Sequence, residues 1–157
     1  MRRRLASLAL SALALGALGG CGGGDAETGG ARGGRPLVVY GREGGIRFES
    51  SRLVVGADGV ATLRSEGCAV RFQLETGLWR HLREEVVQTN LAAITGDYPA
   101  APGAGDTITE AIAIGSDEVR IEDFTTLPPE VQHKLSSLLE LLGEALREGQ
   151  RHLAAAC

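Results

Sequence analysis

Residues 60–86 read "VATLRSEGCAVRFQLETGLWRHLREEV", and the pattern changes period part-way through. In "CAVRFQL" (68–74), Cys68, Val70, Phe72 and Leu74 alternate with Ala69, Arg71 and Gln73. That is the two-residue period of a strand with one buried face. Beyond it, Leu78, Leu82 and Val86 recur every four positions with Trp79 beside them, which predicts an amphipathic helix over about 76–89.

Upstream of this switch the chain reads as a series of hairpins. "LVVYGR" (37–42) is rich in β-branched residues, "EGG" (43–45) is a turn or bulge signal, and "IRFESSRLVV" (46–55) continues extended. Asp58-Gly59 is a hairpin signal, in which both residues can require positive φ. "VATLRS" (60–65) returns from it, and Glu66-Gly67 turns the chain into "CAVRFQL". Downstream, "YPAAPGAGD" (98–106) is a loop, and "TITEAIAIG" and "EVRIEDF" form a hairpin through Gly115-Ser116. "LPPE" (127–130) opens a second helix, since proline is tolerated in the first helical turn. Val131, Leu135, Leu138, Leu142 and Leu146 form its apolar stripe, and it is expected to reach about residue 152, with Gly143 and Gly149 as weak points. The element order is β-β-β-β-α-β-β-α. The fold class is therefore α+β, an antiparallel sheet with two helices packed on one face.

The first 20 residues carry different information. "MRRR" is a positive n-region and "LASLALSALALGALGG" an apolar stretch ending in small residues, as in an export signal. Leu18, Gly19 and Gly20 before Cys21 resemble the bacterial lipobox, which implies lipidation of Cys21. Residues 21–35 are glycine-rich and lack any sizeable apolar side chain, so they read as a tether. A coil of this length spans about 20 Å. Residues 36–157 then form one domain. Removing 1–20 takes away three Arg and no acid, leaving 13 basic against 20 acidic side chains. This balance argues against a nucleic-acid partner. The membrane would be engaged through the N-terminal lipid, placing the domain outside the cytoplasm at the cell membrane.

With Cys21 lipidated, Cys68 and Cys157 remain. Exported domains form disulfides readily, so a Cys68–Cys157 bridge is expected, the alternative being two unpaired thiols.

The chain has no nucleophile elbow, P-loop, dinucleotide fingerprint or Cys-x-x-Cys. His81 and Glu84 could share a metal on a helix, but the second His of a zinc-protease motif is missing, and a solvated face explains them. The pairs Asp117-Glu118 and Glu122-Asp123 lack calcium-loop spacing and are read as guards of an edge strand. The reading is non-enzymatic, with no catalytic residue, no metal and no cofactor.

Several stretches together resemble the emfourin family, small inhibitors of thermolysin-type metalloproteases. They are "VVYGREGGI" (38–46), "LVVGADGVATL" (53–63), "FQLETGLWRHL" (72–82), "DTITEAIAI" (106–114) and "IEDFTTLPPEVQHKLSSLLELL" (121–142). The chain differs where Glu43 replaces the usual Ser, where Ile46-Arg47-Phe48 replaces Phe-Ala-Gly, and where Glu110 replaces an aromatic residue. The resemblance implies a binding domain that blocks a secreted metalloprotease sterically. The partner-contact loop would be Glu43, Gly44, Gly45, Ile46, Arg47 and Phe48, with Ile46 or Phe48 as apolar anchor. The other reading is a surface lipoprotein with a non-inhibitory binding or envelope-scaffolding role, which a buried 43–48 segment would favour.

Overall fold

A computed structural model describes residues 34–46 and 49–157. The expected class holds. Seven strands form one sheet: β1 (Pro36–Gly44), β2 (Glu49–Gly56), β3 (Val60–Ser65), β4 (Cys68–Gln73), β5 (Gly96–Tyr98), β6 (Ile108–Ile114) and β7 (Asp117–Ile121). Two helices, α1 (Thr76–Thr89) and α2 (Pro129–Ala156), accompany it. The spatial order is β4-β3-β2-β1-β6-β7-β5, so the first strand is central and joins the two hairpin systems through β6.

Register explains why one face is dry. Tyr40 pairs with Leu53 and Ile112, Leu53 with Leu63, and Ile112 with Val119. These residues, with Val38, Val55, Ala61, Phe72 and Ile121, are buried. Their strand neighbours Arg52, Arg64, Arg71 and Arg120 are exposed. α1 covers the dry face with Leu78, Leu82 and Val86, and α2 with Val131, Leu135, Leu138, Leu142, Ala145 and Leu146.

The turns follow from single residues. At the Asp-Gly hairpin only Gly59 has positive φ, at 80°, and its N–H donates to the Gly56 carbonyl at 3.0 Å. This is a three-residue loop ending in a left-handed glycine, so the expectation of two positive φ values is corrected. Asp58 stays in ordinary backbone space because its carboxylate accepts from the Val60 N–H at 3.1 Å. Glu66 and Gly67 do both have positive φ, 50° and 81°, as a type I′ hairpin requires.

Four further expectations are revised. β1 continues through Glu43 to Gly44, because these residues pair with Ser50 and Glu49 on one side and with Thr109 and Ile108 on the other. β5 pairs in parallel with β7, so the sheet is mixed. β7 is consequently paired on both sides from Val119 to Ile121, while Asp117 and Glu118 pair with β6 alone and border an open edge. Asp123 instead accepts from the Thr125 N–H at 2.9 Å, Glu122 from the Ala100 N–H at 3.0 Å, and Glu118 pairs with Arg120 at 2.8 Å. Finally, α2 passes through Gly149 without breaking. Gly149 is buried where a Cβ would lie 2.8 Å from Phe72 Cζ and 2.9 Å from Leu63 Cδ2, so it is a point of close helix–sheet approach.

The end of α2 returns to the edge of the sheet. His152 stacks on Phe72 with ring centroids 5.0 Å apart. Cys157 and Cys68 stand at disulfide distance, Cα atoms 6.7 Å apart. Among the described residues no helix is long and apolar enough to cross a membrane.

Candidate functional site

The turn between β1 and β2 begins at Gly45. Gly44 and Gly45 have φ of 114° and 84°, values that side-chain-bearing residues rarely adopt. Gly44 has a second constraint. A Cβ there would collide with the Thr107 carbonyl oxygen. The same carbonyl accepts from the Gly45 N–H at 3.2 Å. The glycine pair thus lets the backbone at Gly44 and Gly45 rest against the segment that leads into β6.

Ile46, the next residue, is 90% exposed, and Glu43 is also exposed, while Gly44 and Gly45 are half-buried. An aliphatic side chain almost wholly in water contributes nothing to the core, whereas Ile112 one strand away is completely buried. Of the expected contact loop, Arg47 and Phe48 lie outside the described residues, as does the expected lipidation site Cys21.

Beneath this turn lies a polar group that the sequence did not reveal. Tyr40, Arg42 and Glu110 project from the helix-facing side of β1 and β6, because Tyr40 pairs with Ile112 and Arg42 with Glu110. The Tyr40 hydroxyl donates to Glu110 Oε1 at 2.7 Å, and Arg42 Nε lies 3.4 Å from the same oxygen. The Arg42 Nε–H is not aimed along that contact and finds no acceptor, so charge rather than a hydrogen bond joins the pair. Burial raises the Tyr40 phenol well above its ordinary pKa, and the bond to Glu110 and its charge add to this, with Arg42 opposing. Glu110 stands where the resemblance leads one to expect an aromatic residue, and here it anchors Tyr40. The only sequence signal was an acid inside an otherwise apolar strand.

His81 and Glu84 sit on the exposed side of α1. Among the described residues no three His, Cys, Asp or Glu side chains gather as metal ligands. No protein-family model matches the chain, and no curated protein matches it in sequence.

Proposed function

We propose that this chain is a lipid-anchored, extracytoplasmic binding domain of the emfourin type that inhibits a secreted thermolysin-type metalloprotease by steric blocking. The observation that carries the reading is Ile46, 90% exposed on a turn held by a glycine pair against a neighbouring segment. A turn presenting one large apolar side chain offers a partner an apolar anchor. A buried 43–48 segment would favour the scaffolding alternative, and Glu43 and Ile46 are exposed.

The placement of β1 supports delivery from a membrane. The strand starts at Pro36, where the tether ends, and finishes at Gly44, beside the turn. Nine residues of strand separate the two by about 30 Å. The described chain thus enters β1 at the end of the strand far from the proposed contact turn. Titrating the mature chain into a thermolysin-type protease tests the reading. Slowed peptide hydrolysis at micromolar chain is expected, and an unchanged rate with the fold intact removes it.

A further inference from the structure

We propose that the open face of the sheet is the contact surface of a homodimer, in which the arginine-bearing half of one copy packs on the acidic half of a second. The inference does not depend on the inhibitory reading and goes beyond it.

Both helices cover one face, so the other carries the alternate residues of each strand. Register places the charges on it. Arg52 is the cross-strand partner of Arg64, and Arg71 is that of Thr62, the next residue of β3 on the same side. All three arginines are exposed, and none forms an ion pair among the described residues. β2, β3 and β4 place no acid on this face. Like charges directly opposite one another on neighbouring strands are destabilising, so Arg52 and Arg64 stand where a negative partner relieves them.

The other half of the same face has the opposite sign. Glu118 pairs with Ala113, Arg120 with Ala111, and Asp97 with Arg120, across β6, β7 and β5. Glu43 lies on this side of β1, since its neighbour Arg42 faces the helices with Glu110. Arg120 is the one cation that β5, β6 and β7 place here. Its Nε–H donates to Glu118 Oε1 at 2.8 Å. That bond, and then the charges of Asp97 and Glu43, raise the pKa of its guanidinium. One cation among three carboxylates leaves this half net negative.

Between the halves the face is small and uncharged. Val39, Gly41, Val54, Ala111 and Ala113 are half-buried and offer no long side chain, so a second sheet can approach to about 10 Å. A two-fold axis parallel to β1 lays β2, β3 and β4 of each copy over β6, β7 and β5 of the other, matching unlike halves twice. Six strand spacings by one strand length give about 1,200 Å² for the two copies together, the lower end of a specific interface. Charges are screened beyond about 8 Å at physiological salt, so the facing halves outweigh the net negative charge of the chain.

The test is sedimentation of the mature chain at tens of micromolar, with thermal unfolding run on each protein. Two double variants reverse one half each, Arg52→Glu with Arg64→Glu, and Asp97→Lys with Glu118→Lys. All four residues are exposed, so both variants keep the fold. Wild type is expected to dimerise and to dissociate as salt is raised. Each variant alone should self-associate at least tenfold more weakly, and an equimolar mixture of the two should recover the dimer, because one then carries two acidic halves and the other two basic ones. A monomeric wild type overturns the proposal, even if an acid-rich peptide binds at Arg52 and Arg64. So do variants that dimerise like wild type, and a mixture of folded variants that stays monomeric.

Discussion

At the residue scale, Tyr40 and Gly149 carry opposite lessons. Tyr40 is almost fully buried and delivers its hydroxyl to Glu110 at 2.7 Å. A hydrogen bond to a carboxylate contributes about 1.5–3 kcal/mol, so Tyr40→Phe should lower stability at neutral pH within that range. The folded phenol is raised above its unfolded value of 10.0. Its stabilisation is therefore complete below that pH and is lost as pH rises above it, because the unfolded chain releases the proton first. Denaturation at pH 8, 10 and 11.5 should show the gap between wild type and Tyr40→Phe shrinking with pH, and a constant gap would contradict this. Gly149 and Gly143 look alike in sequence and differ in space. A Cβ at Gly149 meets Phe72, on which His152 stacks, and the fully buried Leu63. At Gly143 it meets only Arg147 Nη1 at 3.6 Å. Gly149→Ala should destabilise by about 1–3 kcal/mol through overpacking. Gly143→Ala should stabilise by about 0.5–1 kcal/mol through helix propensity. Equal effects in chemical denaturation would remove the distinction.

At the element scale, what was legible depended on period and turn chemistry. β4 and α1 were readable because "CAVRFQL" alternates and Leu78, Leu82 and Val86 do not. β5 was not, since Gly96, Asp97 and Tyr98 carry no period and become a strand only by pairing with β7. The end of β1 was misplaced because glycines in a strand resemble glycines in a turn, and only the register with β6 separates them. The turn after β1 was legible as a glycine pair. The segment it rests against was not, because nothing in "PAAPGAGDT" (99–107) announces that Thr107 will meet Gly45. α2 owes its last turns to tertiary contact, with Cys157 beside Cys68 across a separation of 89 residues. Closing a loop of that length contributes at most about 4.5 kcal/mol in the chain-entropy model, and about 2–4 in practice. Cys157→Ser should therefore lower stability by about 2–4 kcal/mol, with hydrogen exchange accelerating first in the final turns of α2 and along β4. Two alkylatable thiols in the mature, non-reduced protein would contradict the bridge.

At the scale of the whole molecule, the central strand leads to the proposed contact turn. β1 starts at Pro36 at one end of the sheet and delivers Gly44, Gly45 and Ile46 at the other, while both helices cover a single face. Ile46 stays 90% exposed at the end of the sheet that β1 reaches. The most direct test sets wild type beside Ile46→Asp as inhibitors of a thermolysin-type protease, at micromolar chain and matched unfolding temperature. The account predicts that wild type slows peptide hydrolysis and that Ile46→Asp is at least tenfold weaker with its unfolding unchanged. Equal inhibition by the two proteins would contradict it.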